Sequence, residues 1–337
     1  MGGAPDVNHT LRVAPEVADA LRDGRAVVAL ETAVLTHGLP RTPMPAPAGI
    51  EGWDASLPAN LALSVLLEST VRAAGAVPAT VGMLDGTLHV GLARDQLERL
   101  GHDTSARKLS TRDLGAATAQ RANGGTTVAA TLSACGASGI RTFATGGIGG
   151  VHRGWTDRPD VSADLAMLAR TPVAVISAGA KSILDLPATV EALDSLGVPV
   201  IGLGTAHFPR FISQGDASLG VSAQAADARE AARICAAHWA FAPTVGVLVA
   251  NPPPAHAAIP SAEIESVIDA AMAEAVRTGV RGQAITPFLL DRVQRATGGR
   301  TVATNVAVLA SNARVGAELA AKLRRASFSE FPPMFED

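Results

Sequence analysis

A lysine set among small residues is the first feature of this sequence that could do chemistry. Lys181 lies in Ser177-Ala178-Gly179-Ala180-Lys181-Ser182, at the end of an apolar run that starts at Val173. Of the 28 lysines and arginines in the chain, only Lys108, Lys181 and Lys322 are lysines. Arginine is a rigid, permanently charged fork, whereas lysine can lose its proton and act as a nucleophile. A chain that otherwise writes arginine for positive charge marks Lys181 as a candidate nucleophile. Three lysines must fall somewhere, so chance is the competing explanation.

Other polar residues close apolar runs in the same way. Glu31 follows Ala26–Leu30 directly. Gly124-Gly125-Thr126-Thr127 precedes a helical stretch, so its N–H groups and hydroxyls could hold a phosphate. Thr145-Gly146-Gly147 ends a strand-like run and leads to His152-Arg153-Gly154. Asp160-Val161-Ser162-Ala163-Asp164 sets two carboxylates four residues apart with a hydroxyl between them. Singly, each has a plainer reading: a helix cap at Glu31 or Asp160, tight turns at the glycines. Gathered at strand ends, where α/β sheets place their ligands, they favour a site for an anionic substrate.

The elements that must position these residues alternate. Ala26–Leu30 reads as a buried strand and Asn60–Ala74 as a helix. Ala79–Met83 and Thr87–Val90 read as a hairpin around Leu84-Asp85-Gly86. Val128–Ser138 is helical, Thr142–Thr145 and Val173–Ser177 are strands, and Ile183–Leu196 is helical. Val198–Gly202 and Val245–Ala250 supply further strands. Ser261 opens a helix with Ile264, Val267, Ile268, Ala271, Ala275 and Val276 on one face and Glu265 near its start. Pro287–Ala296 and Val302–Leu323 close the pattern as helices. Alternation of this kind predicts a single α/β domain, a sheet flanked by helices on both faces. Residues 1–12 read as a frayed N-terminus, 13–325 as the catalytic domain and 326–337 as an acidic tail.

Several function classes drop out. Gly146-Gly147-Ile148-Gly149-Gly150 lacks the spacing of a dinucleotide loop, which would need glycine at His152. Gly179-Ala180-Lys181-Ser182 lacks that of a P-loop. No zinc motif is present. A net charge of −3 without a basic run argues against a nucleic-acid partner. The apolar runs are too short to span a membrane, and Met1–Thr10 does not resemble a signal peptide. Cys135 and Cys235, in alanine-rich surroundings, read as buried free thiols of a reducing compartment, so the expected location is cytoplasmic.

Longer motifs carry a resemblance. Gly125-Thr126-Thr127-Val128-Ala129-Ala130-Thr131, Phe143-Ala144-Thr145-Gly146-Gly147-Ile148-Gly149-Gly150-Val151-His152-Arg153-Gly154 and Ala178-Gly179-Ala180-Lys181-Ser182-Ile183-Leu184-Asp185 closely resemble the pseudouridine-5′-phosphate glycosidase family. So do Leu30-Glu31-Thr32-Ala33-Val34, Val247-Leu248-Val249-Ala250-Asn251-Pro252 and Asn305-Val306-Ala307. The resemblance implies that Lys181 is the covalent nucleophile, Glu31 the proton donor and Asp160 the holder of a manganese ion. It implies that Lys108, Val128, Ser162, Ala163 and Asp164 touch the substrate, and that Thr145, His152 and Asn305 match further pocket positions. A homotrimer with a mixed central β-sheet is implied by the same resemblance.

The chemistry explains why these residue types are needed. A C-nucleoside has no heteroatom leaving group at C1 of its sugar. An amine added to C1 of the ring-opened sugar can become an iminium, an electron sink for the departing carbon. Glu31 would protonate that carbon, or take its proton in reverse. Lys108 and the Gly-Thr-Thr helix start, Thr127 included, would grip the 5-phosphate, and a metal on Asp160 would neutralise charge or orient water.

The expected reaction is pseudouridine 5′-phosphate and water giving uracil and ribose 5-phosphate. The alternative is a C-glycosynthase that attaches ribose 5-phosphate to an aromatic acceptor. A silent phosphosugar-binding regulator would lack the Lys181 and Glu31 pair. Against the family pattern the chain carries an insertion at about residues 44–57, with Pro43, Pro45 and Pro47 stiffening it. It also has Phe208-Pro209-Arg210-Phe211-Ile212 where relatives often end in tyrosine. The insertion's Met44, Ile50, Trp53 and Leu57 need a partner out of water, expected to be a neighbouring subunit or an acceptor ring stacked on Trp53.

Overall fold

The computed structural model describes residues 10–157, 159–280 and 285–323. The acidic tail, and the expected fraying over residues 1–9, lie outside them. The chain opens with β1 (Leu11–Val13), α1 (Pro15–Arg22), β2 (Val27–Leu30), α2 (Ala33–His37) and α3 (Ala59–Ala73). A hairpin of β3 (Val77–Leu84) and β4 (Thr87–Val90) leads through α4 (Arg94–His102) to β5 (Arg107–Leu109) and α5 (Leu114–Ala119). Then come β6 (Gly124–Thr126), α6 (Val128–Ser138), β7 (Thr142–Ala144), α7 (Ala163–Leu168), β8 (Ala174–Ser177) and α8 (Leu186–Ser195). β9 (Val200–Leu203), β10 (Ala223–Ala225), α9 (Ala228–Phe241) and β11 (Val247–Ala250) precede the helices α10 (Ser261–Thr278), α11 (Ile285–Ala296) and α12 (Arg300–Leu323).

The sheet is mixed. Seven strands run parallel in the order β3-β2-β7-β8-β11-β9-β10, and β4 joins β3 antiparallel, with β1 beside it. Leu11 and Arg12, expected in the frayed terminus, are strand residues paired to Leu88 and His89. β3 changes partner along its length. Its first half, Val77–Thr80, pairs with β2; beyond Val81 the same edge is taken by β6, with Gly82 opposite Gly125, and β5 pairs with β6 in turn. The Val81 carbonyl, at the point of exchange, accepts from Thr32 Oγ1 at 2.6 Å and Thr126 Oγ1 at 2.8 Å. Gly125 must be glycine there, because a Cβ would collide with the Thr36 hydroxyl and the Thr32 carbonyl.

Strand side chains alternate between two helical layers, as a period of two requires. Val28, Leu30 and Ala144 face α3 and α12, while Ile176, Ile201, Val247 and Val249 face α9 and the far part of α12. Val27, Ala29, Phe143, Val175 and Leu248 face the other way, against α1, α6, α7, α8 and α10. α12 is apolar almost all round because it is enclosed by α3, α9 and the sheet. α8 starts later than the sequence pattern suggests: Asp185 caps it by accepting from the Ala188 N–H at 3.0 Å, and the residues before it form a turn. Among the described residues, no helix is long and apolar enough to cross a membrane.

The insertion finds a partner in its own chain. Pro43 and Pro58 form an antiparallel bridge that pinches its ends, and Ala59 N–H reaches Thr42 O at 3.0 Å. Ile50 and Trp53 pack on the cluster that holds Leu63, Leu66 and Val306, and the Trp53 indole N–H donates to Met44 O at 3.1 Å. The half-buried indole thus covers the junction of α3 and α12. Trp53→Ala should lower unfolding stability by roughly 2 kcal/mol in denaturant melts, somewhat less than a fully buried tryptophan. Acceptor preference should not move; altered preference at parental stability would show that the indole serves a ligand instead.

Candidate functional site

The C-terminal ends of β2, β7 and β8 deliver three residues to one place. Glu31 follows Leu30, Thr145 follows Ala144, and the strap of residues 178–181 follows β8. The Thr145 hydroxyl donates to Glu31 Oε1. Burial pushes the Glu31 carboxyl above the ordinary glutamate range; the Lys181 ammonium and the Thr145 hydroxyl oppose this, Asp164 reinforces it and Lys108 opposes it. Thr145 is itself held from behind. Asn312 Nδ2 donates to Thr145 O at 2.7 Å, and Asn251 Nδ2 donates to Asn312 Oδ1 at 2.8 Å. Asn305, one turn pair earlier on α12, reaches the same place, since a side chain at Gly146 would meet Asn305 Oδ1 at 3.0 Å.

Lys181 is carried by a strap that leaves β8 through Gly179, whose φ of +72° and crowding against the Pro209 carbonyl suit only glycine. The strap is tied to the Thr145–Gly150 segment: Ile148 N–H donates to Gly179 O at 3.0 Å and Lys181 N–H to Ile148 O at 3.1 Å. Phe211 closes the back of the strap. Its N–H donates to Ala178 O at 2.7 Å from a left-handed φ of 62°, and its ring lies against Gly146 and Gly147. A phenylalanine in that conformation costs of order 1 kcal/mol or more and persists only where its surroundings hold it.

Lys108 enters from β5. Its surroundings lower its pKa, chiefly by burial and then through the Lys181 charge, while Glu31 and Asp164 raise it. The side chain nonetheless keeps an exposed face. The expected phosphate grip at the start of α6 is partly occupied. Asp164 Oδ1 accepts from Ala129 N–H at 2.9 Å, and Asp164 Oδ2 accepts from Gly149 N–H at 2.7 Å. An anion there would rely on Lys108 and on Thr127, whose buried Oγ1 has no partner. Val128 is buried and can offer a ligand only its backbone. Ser162 caps α7 by accepting from Asp164 N–H at 3.2 Å, and Ala163 is exposed beside it.

His152 and Asp160 form a separate pair on the next strap. His152 N–H donates to Asp160 O at 3.0 Å, Nδ1 lies 3.9 Å from Asp160 Oδ2, and His152 bridges to Leu184 just beyond Lys181. Among the described residues, no hydrogen bond or ion pair joins Asp160 to Glu31 or Lys181, and no trio of His, Cys, Asp or Glu could cage a metal. The donor set therefore fits only a hydrated divalent ion that takes one protein carboxylate and fills its remaining positions with water or substrate oxygens.

Two features of the site have no obvious motif. Asn312 has a faint signal, lying seven residues after Asn305 on an otherwise apolar helix face. His37 closes α2, which packs on β5 and β6; its Nδ1 is 2.7 Å from Thr36 Oγ1, and burial, Lys108 and Arg41 lower its pKa. The raised Glu31 pKa keeps that carboxyl protonated to higher pH than usual. A step in which Glu31 gives up its proton should slow as pH rises through that pKa. Thr145→Val removes a bond that favours the carboxylate, so the decline should move to higher pH in rate profiles; an unmoved limb would assign it to another group.

Comparison with known proteins gives the chain's family. The family model described as indigoidine synthase A like protein matches residues 16–322. A pseudouridine-5′-phosphate glycosidase of Chloroflexus aurantiacus is 50% identical over 318 residues, covering 93% of this chain and 98% of the relative. One of Myxococcus xanthus is 46% identical over 318 residues, covering 94% and 99%. Among solved structures, the prealnumycin C-glycosynthase AlnA in complex with ribulose 5-phosphate superposes with a TM-score of 0.84 at 37% identity, covering 95% of this chain and 98% of that one. An indigoidine synthase A (IdgA)-like protein of Thermotoga maritima gives 0.80 at 31%, covering 96% and 100%. With a model matched along nearly its whole length and relatives of this similarity, the chain belongs to the indigoidine synthase A like family, alongside the pseudouridine-5′-phosphate glycosidases, and is an enzyme of the C-glycosidic bond.

Proposed function

We propose that the protein breaks or makes the C–C bond at C1 of ribose 5-phosphate through an imine on Lys181. One observation carries this reading: the Lys181 and Lys108 side chains and a protonatable Glu31 lie close enough to act on one another electrostatically. The amine bonds to C1 as the C1–O bond of the sugar ring breaks and that oxygen takes a proton. The nitrogen, having lost its own proton, then uses its lone pair to form the C1–N double bond as the bond from C1 to the base carbon breaks. The electron pair leaves with the base, which takes the proton of Glu31. Water then adds to C1 and releases the sugar aldehyde and free amine. Run in reverse, Glu31 starts as a carboxylate and removes the proton of the acceptor carbon. Lys108 and Thr127 hold the 5-phosphate, and Asn305 and His152 line the cavity.

Pseudouridine 5′-phosphate is the substrate of the leading reading, supported by the names of relatives at 45–50% identity. The C-glycosynthase reading is supported by the likeness to AlnA and by the Glu31 environment, which suits either direction. A manganese ion on Asp160 and a homotrimer belong to the same proposal by family resemblance. The ion, when bound, would be held by Asp160 and would supply positive charge or orient water there.

Borohydride added with ribose 5-phosphate should attach a sugar phosphate to the peptide containing Lys181, as read by mass spectrometry. Lys181→Arg should abolish the adduct; labelling on Lys108 instead would reverse the two lysines' roles. Chelation should lower turnover, and manganese should restore it in the parent but not in Asp160→Ala. Turnover indifferent to chelator would remove the metal from the reading.

A further inference from the structure

Glu265 sits on α10, away from the pocket, in a position where its sequence context suggested only a favourable charge near a helix start. In the fold it faces two arginines. Glu265 Oε2 accepts from Arg153 Nη2 at 2.7 Å, and Glu265 Oε1 lies 3.7 Å from Arg210 Nη1. Both arginines meet the turn that follows Lys181, Arg153 through its side chain and Arg210 through its main-chain carbonyl. The Arg153 side chain donates to Ser182 O and to Leu184 O, each at 3.3 Å. On the opposite side, the Ser182 hydroxyl donates to Arg210 O at 2.6 Å. Lys181 O is itself bonded to Leu184 N–H at 3.0 Å, so the turn carrying the amine is grasped on two sides by residues that meet at one carboxylate.

We infer that Glu265 is a positioning residue, which sets the placement of the Lys181 amine by holding Arg153 and Arg210 on either side of Ser182. The charges make the arrangement depend on it. Arg153 and Arg210 are both largely buried side chains, 25% and 17% exposed, and Glu265, at 33%, is the acid that both share. Each has a second acid, Asp269 for Arg153 at 3.1 Å and Asp216 for Arg210 at 2.8 Å, but these are 71% and 48% exposed and neither is shared. Partly buried ion pairs are screened less than exposed ones, and removing one member leaves its partners uncompensated. Without the shared carboxylate, the two guanidiniums repel and each is drawn to its own outer acid. The Ser182 carbonyl and hydroxyl then lose their common frame. Arginine's planar fork is what lets one side chain meet Glu265, Asp269 and two carbonyls at once, which a lysine could not do.

The inference rests on Lys181 as the imine-forming group, and its test separates the two ideas. The rate of borohydride trapping at saturating ribose 5-phosphate is measured in the parent, Glu265→Gln, Glu265→Asp and Arg153→Lys, together with sugar-phosphate affinity by calorimetry. Misplacing a reacting group by about an ångström costs up to ~100-fold in rate. Glu265→Gln should therefore trap roughly 10- to 100-fold more slowly, with affinity little changed because Lys108 and Thr127 are untouched. Glu265→Asp should recover part of the rate. Arg153→Lys, which keeps charge and loses the fork, should repeat the slow trapping without the Glu265 substitution. Parental trapping rates in Glu265→Gln and Arg153→Lys would overturn the inference, as would a loss of affinity equal to the loss of rate. Absence of a Lys181 adduct in the parent would instead overturn the imine reading.

Discussion

A carboxyl group must be kept out of water beside an amine, and the architecture around the pocket can be understood from that demand. Burial alone would neutralise Glu31, and full exposure would make it an ordinary carboxylate. The structure holds it between these limits, with the Lys181 charge and the Thr145 hydroxyl on one side of the balance and burial and Asp164 on the other. A carboxyl held in this way keeps its proton to higher pH than an ordinary glutamate, and it can both give and accept one. The arrangement requires three strand ends side by side, and parallel order β2-β7-β8 supplies them from segments far apart in sequence.

Holding that balance takes polar groups that are themselves satisfied. Thr145 cannot orient its hydroxyl unless its backbone is held, and the Asn251–Asn312 pair does so from within an apolar helix layer. Asp164 plays a similar part for the Gly149 turn and the start of α6, while its charge acts on Glu31 and Lys108 as well. Thr127 is the contrasting case. It is a buried hydroxyl left without a partner, at the place where a phosphate oxygen would supply one.

The strands and helices of the main layers were legible because their apolar periods are long: Val128–Ser138 and the β3–β4 hairpin stand where the pattern puts them. Short strands were not. Gly124–Thr126 has no strand signature, and it pairs only because two glycines let Leu109 and the Thr32–Thr36 turn approach closely. At the site, residues inside long motifs such as Lys181 and Glu31 could be named from sequence. Their supports could not. Asn312, Phe211 and the Arg153–Glu265–Arg210 contacts join segments separated by 50 residues or more, or depend on a backbone conformation no pattern announces. The insertion was legible as a departure, but the surface that receives Trp53 exists only once α3 and α12 have packed.

The exchange of partners along β3 gives the enzyme a built-in ruler. Glu31 is placed by the last β2–β3 pair, Leu30 with Thr80, and Lys108 by the chain of pairs from Gly82 through Gly125. The interval between Glu31 and Lys108 is thus counted in residues of one strand, at about 3.3 Å each. A single residue gained or lost between Thr80 and Gly82 would recalibrate it. It would also turn every later side chain of β3 to the opposite face. The spacing of the Glu31 and Lys108 segments is in this sense set by backbone rather than by side chains, and a variant meant to change it would have to be cut at that graduation.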